Sequence, residues 1–171
     1  MSEHIRELLM ELRPSKMLPG EIGVFATVSI PKGTSVTHDD ENSEKLTILP
    51  MEQFGTLSKQ LQDKIRHFSV QREEGYLVPK GIDYNELSVS WYFNHSCEGN
   101  LGFDAHGDYV ARRDIEVGEE LTYDYGLIES GDYKMECTCG SSRCRHTITG
   151  VDYQNPQFRK ENAEYLYPDL R

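Results

Sequence analysis

The 171-residue chain has little positive charge and no long apolar run. No stretch approaches the ~20 apolar residues that a membrane helix needs, and residues 1–13 carry acids, unlike a signal peptide. The 18 Lys and Arg residues are outnumbered by 29 Asp and Glu residues, giving a formal net charge of −11. Because phosphate contact relies on clustered positive charge, we expect no direct nucleic-acid binding, and basic proteins suit this chain better as partners. We expect a soluble, intracellular protein.

Internal repeats, low-complexity segments and long linkers are also lacking in the sequence. Hydrophobic residues make up 37% of the chain and charged residues 27%, which is typical of a globular domain. A chain of this length can bury a core of its own. One folded domain is therefore expected.

Helical spacing of apolar residues occurs in two segments, and a third segment has a helix start signal. Residues 1–13 have this spacing, and Pro14 would end the helix. Residues 56–68 carry a single apolar stripe, which predicts a helix packed on the core. Near the end of the chain, Asn155 can cap a helix that has Pro156 at its first position. We expect this last helix to pack as an appendage.

Short strand patterns account for most of the remaining chain. Residues 22–29 and 33–37 are runs rich in β-branched residues on either side of a Pro-Lys-Gly turn, and we expect them to pair as a hairpin. Four further strands are predicted at residues 75–78, 101–104, 109–113 and 120–123. The fold class predicted is mainly β with short helices.

Only four cysteines are present, three close together and one forty residues upstream: Cys97, Cys137, Cys139 and Cys144. A reducing compartment disfavours disulfides, and unpaired cysteines buried as small apolar residues would not explain the polar residues between them. Four thiolates are the ligand set of structural Zn²⁺. We therefore predict one zinc ion per chain, which leaves no open position for activating water.

Four motifs in the sequence together resemble SET-domain protein lysine methyltransferases. Residues 94–100 read Asn-His-Ser-Cys-Glu-Gly-Asn, and residues 118–126 read Gly-Glu-Glu-Leu-Thr-Tyr-Asp-Tyr-Gly. Residues 20–26, Gly-Glu-Ile-Gly-Val-Phe-Ala, resemble the cofactor loop of that family. Residues 137–145 resemble its post-SET cysteine motif. The sequence departs from the family at Gly99, where proline is frequent, and at Trp91, where arginine is common.

The resemblance implies a fold of small β-sheets in which the C-terminal stretch threads beneath a preceding loop to form a pseudoknot. It divides the chain into a lead-in, a SET domain, a zinc segment and a helical appendage, at residues 1–19, 20–126, 127–150 and 151–171. It also implies S-adenosyl-L-methionine as methyl donor, and it assigns cofactor contacts to Glu21, Ile22, Gly23, Asn94, His95 and Tyr125.

The same resemblance implies three catalytic tyrosines. Tyr125 matches the tyrosine that orients the substrate amine, and Tyr76 matches a second tyrosine of the lysine channel. Tyr123 stands where related enzymes have Phe or Tyr. A hydroxyl at this position holds water that competes with a methylated amine, so the products expected are monomethyl- and dimethyl-lysine.

The substrate implied is a lysine in a basic protein, with histone tails as the first candidate. Two alternatives stay open: methylation of a non-histone protein, and a catalytically silent module that binds basic peptides. The location implied is the nucleus or chromosome in a eukaryotic or viral setting and the cytoplasm in a bacterium. The sequence predicts no oligomeric state.

Overall fold

The computed structural model describes residues 8–37, 46–85 and 87–171. Within these ranges the chain is mainly β with short helices, as predicted. The strands are β1 (Met10–Pro14), β2 (Ile22–Ala26), β3 (Leu46–Pro50), β4 (Val70–Arg72), β5 (Gly75–Pro79), β6 (Asn94–His95), β7 (Leu101–Phe103), β8 (Tyr109–Ala111), β9 (Glu120–Tyr123), β10 (Lys134–Glu136) and β11 (Thr147–Thr149). The α-helices are α1 (Met51–Phe54), α2 (Lys59–Phe68) and α3 (Pro156–Asn162).

The largest sheet has the order β1-β2-β9-β7-β8, and β6 pairs with β9 in parallel. Strand β9 therefore lies at the centre, with antiparallel β2 on one side. The main hydrophobic core packs on this sheet and contains Val24, Leu101, Phe103, Leu121 and Leu127 among its fully buried side chains. Strand β9 belongs to the motif at residues 118–126 and ends two residues before Tyr125. The core therefore holds this motif, which is the second of the two SET motifs, rigidly.

A second sheet has the order β3-β5-β4 and carries α1 and α2. Its separate core joins Leu49, Phe54, Ile65, Tyr76 and Val78. The helix predicted at residues 56–68 forms, but α2 begins only at Lys59. The Ser58 side chain accepts a hydrogen bond from the Leu61 backbone N–H and so caps the helix at that point.

The C-terminal helix α3 has the predicted start, with Asn155 accepting hydrogen bonds from the backbone N–H groups of Gln157 and Phe158. The residues after it pack into the main core, where Leu166 is 1% exposed. The C-terminal segment is thus part of the core of the domain. No helix in the described part of the chain is long and apolar enough to cross a membrane.

The predicted N-terminal helix is wrong over residues 10–13, which belong to strand β1, while residues 1–7 lie outside the described residues. Strand β1 pairs along its whole length with β2, and Leu12 is 43% exposed. Backbone pairing with a neighbouring strand therefore overrides the helical spacing of the apolar side chains.

The predicted hairpin of residues 22–29 and 33–37 is also wrong. A turn does form, with the Thr34 N–H bonded to the Pro31 carbonyl. However, β2 pairs with β1 and β9, while Ile30 bridges to Ile115 and Ser35 to Val110. Partners distant in sequence therefore replace the local pairing.

The loop after β6 crosses directly over β9. Ser96 donates its N–H to the Tyr123 carbonyl, and the Asn100 side chain bonds both the Glu120 carbonyl and the Thr122 N–H, each at 2.9 Å. A Cβ on Gly99 would lie 2.6 Å from the Cα of Tyr123. Glycine is therefore required where this sequence departs from the family. Loop and strand cross as a pseudoknot requires.

Candidate active site and metal centre

A cavity of about 470 Å³ lies between the two sheets, which is large enough for a small ligand or an extended side chain. Aromatic residues dominate its walls: Phe68, Trp91, Phe93, Phe103, Tyr109, Tyr123, Tyr125 and Tyr167. The charged or titratable side chains in the lining are His67, Lys80, Asp83, His106, Asp108 and Glu129. The wall thus combines aromatic rings with polar groups, and its rings can contact the aliphatic part of a long side chain.

Tyr123 and Tyr125 lie side by side in the cavity wall, with ring centroids 4.8 Å apart. The Tyr125 hydroxyl donates to the Phe93 carbonyl at 3.0 Å, which leaves its oxygen lone pairs as acceptors. Burial raises the pKa of both tyrosines above the ordinary value. Both phenols are therefore neutral at physiological pH.

Tyr109 joins this pair, although the sequence interpretation did not select it. Its ring centroid is 5.1 Å from that of Tyr123 and 4.9 Å from that of Phe93. The Tyr109 and Tyr123 phenols also interact with each other electrostatically. The sequence showed Tyr109 only as the first residue of a strand candidate, with no motif around it.

Tyr76 is not in the cavity, so the structure does not bring it together with Tyr123 and Tyr125. Its ring packs on Phe54, with centroids 4.8 Å apart, in the core of the second sheet. Its neighbour Leu77 lines the cavity instead. Successive side chains of a strand point to opposite faces, so β5 can present only one of the two to the cavity.

The residues assigned to the cofactor loop meet Asn94 beside strand β9. The Asn94 amide donates to the Ile22 carbonyl at 2.9 Å and to the Glu120 carboxylate at 3.0 Å. A Cβ on Gly23 would overlap the same carboxylate. The Ile22 side chain is 48% exposed next to the amide. An apolar face beside hydrogen-bonding groups fits a nucleoside-containing cofactor. Glu21 is also nearby, at the exposed end of this loop.

His95 connects the tyrosines to the sulfur cluster. Its Nδ1 accepts the Tyr125 backbone N–H at 3.1 Å, and its Nε2 lies 3.4 Å from the Cys97 Sγ. Burial lowers the pKa of His95 to about 4, against the opposing effect of Asp124. The imidazole is therefore neutral and positions the Tyr125 backbone as an acceptor.

The four cysteines meet in one cluster and are all free thiols. The Cys137 Sγ lies 3.9 Å from the Cys97 Sγ and 3.7 Å from the Cys144 Sγ. Four sulfurs at ~2.3 Å from a central zinc would lie ~3.8 Å from one another, so these spacings fit that ion. The ligand atoms that all lie within 4.8 Å of one another belong to His95, Cys97, Cys137 and Cys139. Cys144 is outside that group and reaches the cluster through its contact with Cys137.

Arg145 connects the cysteine cluster to the motif at residues 118–126. Its guanidinium forms a bidentate pair with Asp124 at 2.6 and 2.7 Å and reaches Asp152 at 3.1 Å. Its backbone N–H lies 3.4 Å from the Cys97 Sγ, a contact that favours a thiolate. Since Asp124 stands next to Tyr125, one arginine fixes the cysteine segment against the tyrosine pair.

Several curated proteins are similar to parts of this chain. The rice histone-lysine N-methyltransferase TRX1 is 41% identical over 87 residues, covering 45% of this chain and 8% of its own length. Histone-lysine N-methyltransferase trithorax of Drosophila virilis is 35% identical over 140 residues, covering 72% of this chain and 4% of its own length. Human histone-lysine N-methyltransferase EHMT1 is 35% identical over 96 residues, covering 48% and 7%.

The chain thus spans less than a tenth of the length of these three relatives. The family described as SET domain matches residues 21–126, which is more than half of the chain. These residues include the cofactor loop, strands β2 to β9 and the tyrosine pair. The chain therefore belongs to the SET-domain family.

Proposed function

We propose that this protein is a protein-lysine N-methyltransferase that uses S-adenosyl-L-methionine. The observation that carries the proposal is Tyr125, whose hydroxyl lies in an aromatic cavity while its backbone is bonded to His95 of the first motif. A lysine side chain could reach this hydroxyl from one direction and a cofactor bound near Asn94 from another.

The residues that would hold the cofactor are Asn94, His95 and the loop residues Glu21, Ile22 and Gly23. When bound, S-adenosyl-L-methionine supplies an electrophilic methyl group on a positively charged sulfur. Gly23 leaves room for the Glu120 carboxylate beside the loop, and the Asn94 amide is already fixed against that carboxylate and the Ile22 carbonyl.

Tyr125 would orient the substrate amine. Because its hydroxyl donates to the Phe93 carbonyl, the oxygen can accept an N–H of the amine and aim the nitrogen lone pair at the methyl group. Tyr123 would occupy space next to the amine, which favours monomethyl or dimethyl products. Tyr76 lies outside the cavity, and its catalytic assignment carries no support from the geometry.

Zinc would bind Cys97, Cys137, Cys139 and Cys144 as one structural ion per chain. The Cys137 sulfur lies at zinc spacing from the sulfurs of Cys97 and Cys144, and four sulfurs would fill a tetrahedral site. Through Arg145 the ion would then stabilise the wall next to Tyr125.

A basic protein is the substrate class that the charge favours, because an acidic chain attracts basic peptides. The relatives are named histone-lysine N-methyltransferases, so a histone or histone-like protein is the first candidate. The nucleus or chromosome is the corresponding location in a eukaryotic or viral setting, and the cytoplasm in a bacterium.

The test is methyl transfer from isotopically labelled S-adenosyl-L-methionine to core histones and to a protein extract. Wild type should label a protein lysine, and Tyr125→Phe should reduce the rate by about 100-fold or more. Tyr153→Phe is the matched control, since within the described residues its hydroxyl accepts a hydrogen bond from the neighbouring Gln154 amide and from no other side chain. Absence of cofactor binding by calorimetry in zinc-loaded protein would instead favour the silent peptide-binding module.

A further inference from the structure

Glu129 is a buried carboxyl group in the wall of the tyrosine cavity. Its side chain lines the cavity with Tyr123 and Tyr125, and the residue is 3% exposed. The position follows from local structure: residues Tyr125–Leu127 form a 3-10 turn, and the Glu129 N–H bonds the Tyr125 carbonyl at 2.9 Å. The turn thus brings the carboxyl back to the cavity that Tyr125 lines.

Few groups compensate the charge of this carboxyl. One oxygen accepts the Gln71 backbone N–H at 2.7 Å, and within the described part of the chain no ion pair with Glu129 is formed at 4 Å or less. The nearest cation is Arg72, which donates instead to the Ile128 carbonyl and stacks on the Tyr167 ring at 4.7 Å. A buried carboxyl without an ion pair is costly unless a cation is supplied from outside.

Resting on the proposed function, we infer that Glu129 receives the ammonium group of the substrate lysine and takes its proton before methyl transfer. The cavity supplies an aromatic passage for the lysine methylenes, and Glu129 is its buried acidic group next to Tyr123 and Tyr125. A primary ammonium is the cation that such a passage admits.

In this step the substrate amine and Glu129 together hold one proton. With the proton on nitrogen, the carboxylate and ammonium form an ion pair that retains the lysine. With the proton on the Glu129 oxygen, the nitrogen lone pair forms the new N–C bond while the S–C bond breaks and its electron pair stays on sulfur. The methylated product leaves as an ammonium, and the Glu129 proton passes to water.

Burial raises the pKa of Glu129 to about 8, with the Gln71 N–H and Arg72 opposing that rise. Such a group can exchange a proton near neutral pH. The other titratable groups that interact with the carboxyl are the Arg72 guanidinium and the phenols of Tyr76, Tyr109, Tyr123, Tyr125 and Tyr133. Those at the cavity wall include His67, Lys80, Asp83, His106, Asp108 and Tyr167.

The first experiment is the pH dependence of methyl transfer to core histones by zinc-loaded protein, comparing wild type with Glu129→Gln. The amide keeps an oxygen for the Gln71 N–H but cannot take a proton. Wild-type kcat/KM should increase with pH and level off near pH 8. The variant should be about 100-fold slower near neutral pH and should recover toward the ~10.4 pKa of the free amine. Glu52→Gln, an exposed carboxyl on α1, should match wild type.

A second experiment needs no methyl transfer. The Glu129 carboxyl carbon is observed by ¹³C NMR in protein labelled at glutamate, its resonance assigned by its loss in Glu129→Gln. n-Butylamine, which mimics the lysine side chain, should shift this resonance, whereas 1-butanol should not.

The outcomes separate the two proposals. An amine-induced shift without any labelled lysine supports the ammonium site and counts against the proposed function. Labelled lysine at equal rates in wild type and Glu129→Gln across the pH range, or a resonance indifferent to n-butylamine, overturns the inference and leaves the proposed function standing.

Discussion

Tyr123 is enclosed by the rings of Phe103, Tyr109 and Tyr125, with centroids between 4.8 and 5.7 Å away. Rigid neighbours on three sides leave the space around its hydroxyl fixed. Its phenol also interacts electrostatically with that of Tyr109. Under the proposed function, the room for a methylated amine beside this ring would depend on the hydroxyl oxygen.

Tyr123→Phe should shift the products toward higher methylation states. Removing the hydroxyl opens space and removes a group that can hold water against the amine. The measurement is mass spectrometry of the modified peptide at matched turnover. Tyr153→Phe is the control and should leave the distribution of methylation states unchanged. An unaltered ratio of methylation states in Tyr123→Phe would show that this hydroxyl does not limit methylation.

Glu129 should also make folding stability depend on pH. Burial raises its pKa from 4.5 to about 8 in the folded protein, so the folded state binds the proton more tightly than the unfolded state. Its contribution to the unfolding free energy is complete below pH 4.5 and is lost as pH rises toward 8.

Urea unfolding of wild type and Glu129→Gln at several pH values measures this effect. Between pH 4.5 and about pH 8, the wild-type unfolding free energy should fall relative to that of the variant by on the order of a few kcal/mol. The difference between the two proteins removes the contribution of the cysteine cluster, which both share. A constant difference would mean that Glu129 has the same pKa in both states.

Strand β9 is the element on which the site depends. It is bonded to β2, β6 and β7, and the loop after β6 crosses over it. The two residues that follow it are Asp124, the partner of Arg145, and Tyr125. A small displacement of β9 would therefore move the tyrosine pair and the support for the cysteine segment together.

Asn100→Ala should destabilise the protein by about 2–4 kcal/mol, because the Glu120 carbonyl and the Thr122 N–H would both lose a buried partner. Urea unfolding at constant pH measures the change. Asn85→Ala, which removes a hydrogen bond to Asp83 in an exposed turn, is the control and should change stability by less than about 0.5 kcal/mol. Equal stability of the two variants would mean that the crossing loop rearranges so that the Glu120 carbonyl and the Thr122 N–H find other hydrogen-bond partners.

At the scale of the whole molecule, the cysteine cluster joins the crossing loop, the segment before β11 and, through Arg145, the residue before Tyr125. Besides the sulfur contacts, the Arg145 pairs and the hydrogen bond from the Ser141 hydroxyl to Glu98 connect these segments. Bound zinc would thus contribute to folding and to the shape of the active site together.

Elemental analysis should find one zinc per chain, and chelation or Cys97→Ser should lower the thermal midpoint and increase proteolysis between residues 137 and 146. The cause is loss of the link that closes a forty-residue loop. Ser142→Ala, an exposed change in the same segment, should retain zinc and stability. Active protein that contains no zinc would contradict the prediction.

The pattern of apolar residues predicted α2 and β5 correctly, because one face of each element is buried in the core of the second sheet. It failed for β1, whose pairing with β2 is decided by a partner on another part of the chain. Tyr76 was assigned to the lysine channel by resemblance, and alternation along β5 predicts only that Tyr76 and Leu77 face opposite sides, without indicating which side holds the cavity.

The sequence by itself determined the family, through four motifs in order, and the mainly β class, through short runs with turn residues between them. It also determined that four thiolates were available to a metal. The tertiary structure alone decided that the sulfurs lie at zinc spacing, that Tyr109 joins Tyr123, and that Glu129 lines the cavity. Those juxtapositions follow from strand pairing and crossing between segments far apart in the chain, and no local pattern of side chains encodes them.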